Sequence, residues 1–220
     1  MAEPVLVGVV DSGWPQALRD RVIAERSFVT GRADAQDRVG HGTRTLQAMA
    51  ALAPQARFVV AQVFGDVLRT DMATVARAVD WVVDEGAEVI NLSLGVREDH
   101  APLRLACERA IARGCLLVAS TPARGEPVFP AAYPGAIRVM GDARCDPGQH
   151  SALLLPHADF GACVLPPDGD RANAGASLGC AHLSGRVAAL LADGVAPERG
   201  AVWRALVDSA AFRGPERRTA

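Results

Sequence analysis

The chain has 220 residues, 50% hydrophobic and 22% charged, enough to bury one sizeable core and short for two, so a single domain over 1–220 is expected. A formal net charge of −2 gives no general attraction to nucleic acid or to an anionic membrane, and neither is an expected partner. Five cysteines, Cys107, Cys115, Cys145, Cys163 and Cys180, are an odd number without CxxC pairing, which argues against a disulfide framework or a zinc knuckle and for reduced thiols.

Residues 5–10 form a continuous apolar, β-branched run that ends at Asp11-Ser12-Gly13, the pattern of a parallel strand buried on both faces. Asp11 then stands at the strand's carboxyl end. Gly40-His41-Gly42-Thr43 precedes a helical stretch whose apolar face is Leu46, Met49, Ala50 and Ala53. A histidine between glycines is ordinarily a loop residue, but this one opens a helix. Residues 57–64 and 88–94 predict further strands. Between them Met72, Val75, Ala76, Val79, Val82 and Val83 mark one helix face, closed by Gly86.

Residues 101–113 predict another helix ending at Gly114, and 115–120 another buried strand. Residues 136–141 and 158–164 are weaker strand candidates. Helices are expected over 178–191 and 198–210, and the basic stretch 212–220 is expected to be a flexible tail. This alternation implies an α/β, three-layer architecture, a mostly parallel sheet with helices on both faces. Such sheets place sites at the carboxyl ends of their strands, where Asp11, residues 93–95 and residues 121–125 fall.

The segment GASLGCAHLSG, 175–185, sets Ser177 between tiny residues at the start of a helix. Serine there is a preferred N-cap. The same position lies beside unpaired backbone N–H groups and the positive end of the helix dipole, where an oxyanion would be stabilised. An aspartate, a histidine and a serine in this chain order need only the fold to bring them to one point.

These segments resemble the subtilisin-like serine peptidases along nearly the whole chain. VGVVDSG resembles the family's aspartate strand, GHGTRTLQAMAAL its histidine helix, VINLSLG its substrate-pairing strand and GASLGCAHLSG its serine helix. The family's serine pattern, Gly-Thr-Ser-Met-Ala-x-Pro-His-Val-Ala-Gly, is kept at Gly175, Ser177, His182 and Gly185, but not at Ala176, Leu178, Gly179 and Ala181. The resemblance implies a subtilisin-like fold, with Ser177 as nucleophile, His41 as general base and acid, and Asp11 orienting the imidazole. It also implies that Ser93, Leu94 and Gly95 offer backbone hydrogen bonds to an extended peptide, and that His182 packs beneath the site.

One departure stands out. The family's oxyanion-binding asparagine falls, in an ungapped alignment, on Ala123, and Pro122 replaces a glycine. Three readings stay open: the Ser177 N–H suffices in a slow, selective enzyme, Thr121 or Arg124 supplies the missing donor, or the protein binds peptides without cutting them. Asp168 and Asp170 are spaced like part of a calcium loop but lack its further carboxylates and terminal glutamate. A turn-rich loop is expected there, with no metal and no cofactor. Cys180, one helical turn from Ser177, is expected to be a buried small hydrophobe.

The N-terminus shows no basic leader region, and its apolar run is too short for a signal peptide or membrane span. Exported relatives carry a signal and a prodomain, yet Asp11 already belongs to the expected catalytic strand. The expectation is therefore a cytoplasmic peptidase without a prodomain, dedicated to removing a leader from one precursor, either a ribosomally made and modified peptide or an enzyme subunit. The small size also resembles proteases that remove the leader of the γ subunit of quinohemoprotein amine dehydrogenase, which makes that subunit a candidate partner.

Overall fold

The structure is a computed structural model and describes residues 3–216. Nine strands make one sheet in the order β2-β3-β1-β4-β5-β6-β8-β7-β9. They are β1 (Leu6–Asp11), β2 (Val22–Ser27), β3 (Arg57–Gln62), β4 (Val89–Leu92), β5 (Leu116–Ser120), β6 (Ile137–Gly141), β7 (His150–Ala152), β8 (Phe160–Ala162) and β9 (Phe212–Arg213). Every pairing is parallel except that of β7 with β8.

The helices are α1 (His41–Leu52), α2 (Met72–Asp84), α3 (Ala101–Ala112), α4 (Ala176–Ala192) and α5 (Arg199–Asp208). Side chains alternate across each strand, so Val7 and Val9 join the core under α1, α4 and α5, while Val10 and Ile90 join the core under α2 and α3. Both faces of the central strands are thus covered. The expected three-layer α/β architecture is the one observed, and it explains why these strands read as unbroken apolar runs.

Strand order reverses at β1, which lies between β3 and β4. A crevice opens at such a switch point beyond the carboxyl ends of the strands, here beside Asp11 and the segment after Leu92. Close backbone approaches set the helices around it. A Cβ on Gly42 would stand 2.2 Å from the Gly13 carbonyl oxygen, and one on Gly185 would stand 2.9 Å from Met49 Cα. Only glycine permits these contacts, which bring α1 against the end of β1 and α4 against α1.

Three strands escape the sequence reading. β2 is an edge strand whose polar residues face solvent, and β7 and β9 are too short to carry a period. The expected tail from 212 needs correction: Phe212 and Arg213 pair with Ser151 and Ala152, and Gly214 N–H donates to the Ala152 carbonyl at 2.9 Å. The open edge of β7 supplies the unpaired backbone groups that order this segment. Residues 217–220 of that stretch lie outside the described residues.

Candidate active site

Asp11 ends β1 fully buried. Its Oδ1 accepts from Ser12 N–H at 2.6 Å and lies 2.7 Å from His41 Nδ1, while Thr45 Oγ1 stands 3.3 Å from Oδ2. The contact assigns the imidazole proton to Nδ1 and leaves Nε2 as the free acceptor. Burial disfavours the charged ring, but the charge and hydrogen bond of Asp11, helped by Asp37 and opposed by Arg44, hold the His41 pKa above its ordinary value.

Asp37, which the sequence reading passes over, fixes this geometry. Its Oδ1 accepts from Ser12 Oγ, Val39 N–H and Gly40 N–H, each at 2.9 Å. Its Oδ2 accepts from Thr43 N–H at 2.7 Å and Thr43 Oγ1 at 2.6 Å. Ser12 Oγ in turn accepts from Gly42 N–H at 2.8 Å. Gly40, the N-cap of α1, has no side chain to offer the helix's orphan donors, and Asp37 serves them from outside. Burial opposes ionisation of Asp37, yet the donors from Thr43, Gly40 and Val39 hold its carboxyl below the usual range. The available signal was an acid a few residues before His41 and Thr43, which is easily read as a loop charge.

Ser177 is the second residue of α4, with Gly175 at the N-cap. The cap reading of Ser177 is therefore corrected: its hydroxyl donates to the Ser93 carbonyl at 3.2 Å. Ser93 Oγ donates to the Ser177 carbonyl at 2.9 Å and accepts from Asn91 Nδ2 at 3.0 Å, while Ser184 Oγ donates to Asn91 Oδ1 at 3.0 Å. This chain of bonds ties the end of β4 to the start of α4. In the first turn of the helix, the Ser177 N–H has no acceptor upstream along the helix.

His41 and Ser177 line one cleft of about 370 Å³ together with Ser93, Leu94 and Gly95. A second cleft, of about 630 Å³, meets it at Gly95 and Val96 and is lined by Ala176, Thr121, Pro122 and Arg124. The structure thus gathers all the expected site residues but one. Ala123 is exposed and lines neither cleft, whereas its neighbours Pro122 and Arg124 line the second one. Thr121 is largely buried, and among the described residues its hydroxyl makes no hydrogen bond.

Around the site, His182 lies buried in α4 with Nε2 2.9 Å from the Leu165 carbonyl oxygen, and burial lowers its pKa. Cys180 is buried against the sheet, and burial pushes its thiol up to about 12, which leaves it inert. Asp168 and Asp170 serve their own turn: Asp168 Oδ1 accepts from Asp170 N–H at 3.0 Å, and Asp170 caps the 3₁₀ turn Arg171–Asn173. Among the described residues no group of three His, Cys, Asp or Glu side chains could hold a metal, and no helix is long and apolar enough to cross a membrane.

A parallel sheet with an Asp–His pair at its switch point, facing a serine in the first turn of a buried helix, is a subtilisin-like arrangement. The chain belongs to the Subtilase family (peptidase S8), whose model matches residues 3–153. That span holds Asp11 and His41; Ser177 lies beyond it. Subtilisin BL of Lederbergia lenta is 33% identical over 146 residues, 61% of this chain and 54% of that protein. Alkaline elastase YaB of Bacillus sp. (strain YaB) is 29% identical over 205 residues, 85% of this chain and 54% of that protein. The chain spans about half the length of these curated relatives.

Two solved structures share the fold. The epidermin leader peptide processing serine protease EpiP of Staphylococcus aureus superposes with a TM-score of 0.75 at 17% identity, covering 93% of this chain and 69% of that one. A cold adapted subtilisin-like serine proteinase gives 0.73 at 19%, covering 94% and 84%.

Proposed function

We propose that this protein is a serine endopeptidase in which Ser177 attacks the scissile carbonyl, His41 takes and returns the proton, and Asp11 holds the ring. The observation that carries this reading is the Asp11–His41 hydrogen bond at 2.7 Å behind a cleft that His41 lines together with Ser177. For attack, the Ser177 hydroxyl must leave the Ser93 carbonyl and turn to His41 Nε2; such contacts often tighten only when substrate binds. The developing oxyanion would be held by the Ser177 N–H and by the unpartnered Thr121 hydroxyl, which takes the place of the absent asparagine. Leu94 and Gly95, beyond the end of β4, would pair with an extended substrate backbone.

The substrate we assign is a leader-bearing precursor cleaved in the cytoplasm, with the γ subunit of quinohemoprotein amine dehydrogenase as one candidate. Two observations support this finer reading: the fold is shared with a leader peptide processing protease, and all five cysteines are free. Incubation with candidate precursors, followed by intact mass, tests it. One cut at the leader junction, absent with Ser177→Ala, is expected; scattered cuts throughout an unfolded protein would contradict a dedicated role.

A peptide-binding pseudoprotease is the second reading, favoured by the Ser177 hydroxyl resting on Ser93 rather than on His41. Precursor that is bound and never cut would select it.

A further inference from the structure

The lining of the clefts is opposite in charge to the chain. The protein has a formal net charge of −2, and its 23 basic residues are all arginines. Arg69 lines the cleft that holds His41 and Ser177, and Arg97 and Arg124 line the adjoining one. All three are exposed, and among the described residues none of their guanidinium groups makes a hydrogen bond or ion pair. Elsewhere Arg32, Arg104, Arg109, Arg113, Arg138 and Arg144 are each paired with an aspartate, while Arg38, Arg44, Arg171, Arg186 and Arg204 also make no side-chain hydrogen bond or ion pair among the described residues.

Among the described residues, Glu126 is the one carboxylate lining either cleft. Asp11 and Asp37 lie behind His41, with their oxygens occupied by the donors described above. Guanidinium groups left without partners along a groove create a local positive potential that draws in anionic chains, and their planar forks match carboxylates in pairs. Leu68, Met72, Leu94 and Val96 add apolar surface to the same clefts, so the arginines are the groups that set the charge of a bound segment.

We propose that the peptide segment held across these clefts is acidic, with Asp or Glu side chains set against Arg97 and Arg124 and a further acid near Arg69. The inference rests on reading the clefts as a peptide-binding site. It adds the chemical class of the segment: the precursor carries clustered acids around the bond presented to Ser177.

Three fluorescent peptides of one length, identical except for carrying Glu, Gln or Arg at the same positions, test the proposal by anisotropy on the Ser177→Ala protein. The Glu peptide should bind tightest, by at least about tenfold over the Arg peptide at low salt, and the gap should close as salt screens it. In an Arg97→Glu/Arg124→Glu variant the order should invert; both residues are exposed, so the fold tolerates the change. Equal affinities, or tighter binding of the Arg peptide, would overturn the proposal. If the wild type still takes a serine-directed fluorophosphonate, only the acidic preference has failed. If no peptide binds and no adduct forms, the peptidase reading fails with it.

Discussion

Ser93 and Ser177 hold each other by two reciprocal hydrogen bonds, Ser93 Oγ to the Ser177 carbonyl at 2.9 Å and Ser177 Oγ to the Ser93 carbonyl at 3.2 Å. The first bond fixes the start of α4 to the end of β4, so the serine sits at one height above the sheet. The second holds the hydroxyl on the Ser93 carbonyl, so the proposed transfer of its proton to His41 requires that bond to break.

Ser93→Ala removes the first bond and leaves the buried Asn91 Nδ2 without its partner. The expected cost is about 1–3 kcal/mol, the penalty for an unsatisfied buried donor. It would appear as a lower urea midpoint with an unchanged slope, alongside slower serine labelling. An unchanged midpoint would mean that the tie contributes nothing.

Asp37→Asn keeps the shape but turns an amide NH₂ toward N–H donors. A loss of about 1–3 kcal/mol is expected at neutral pH. Because the folded-state pKa of Asp37 is depressed, its charge contributes stability above the unfolded value of about 4, and that stability is lost as pH falls through the lower folded value. Acid unfolding of the variant should therefore flatten across that window. Chemical denaturation measured at a series of pH values between neutrality and strong acid checks it.

The neutral imidazole is the form that can take the Ser177 proton. Since Asp11 and Asp37 raise the His41 pKa above its ordinary value, the labelling rate should climb with pH to a plateau, with its midpoint above about 6.5. By linkage, the stability that the protonated ring gains from Asp11 is present at acid pH and lost as pH rises through that midpoint. Asp37→Asn removes one of the raising charges, so its midpoint should move down. A rate that is flat from pH 5 to 9 would contradict His41 as the base.

Thr121→Val removes a hydroxyl with no partner among the described residues while keeping the side-chain volume. Stability should stay within about 0.5 kcal/mol. Turnover should fall by about 10²–10³, the effect of losing one oxyanion donor. Wild-type turnover in the variant would assign the donor role elsewhere, with Arg124 next.

What the sequence disclosed follows from burial. β1, β3, β4 and β5 are covered on both faces and read as apolar runs, and α2 carries one clean apolar face. β2 did not read as a strand because an edge position tolerates Glu25 and Arg26 facing solvent. Asp11, His41 and Ser177 were legible because each sits at the end of a patterned element. Asp37 was not, since a carboxylate that caps a helix from a loop leaves no period. Ala123 lines neither cleft, and an ungapped alignment carries no information on which residues of the loop after β5 do.

The most direct test of the account is the intact mass of wild type, His41→Ala and Ser177→Ala after incubation with a fluorophosphonate. A single adduct on wild type, slowed in His41→Ala by about 10² or more and absent from Ser177→Ala, is the predicted result. No adduct on folded wild type, or an adduct that survives Ser177→Ala, would contradict an activated Ser177.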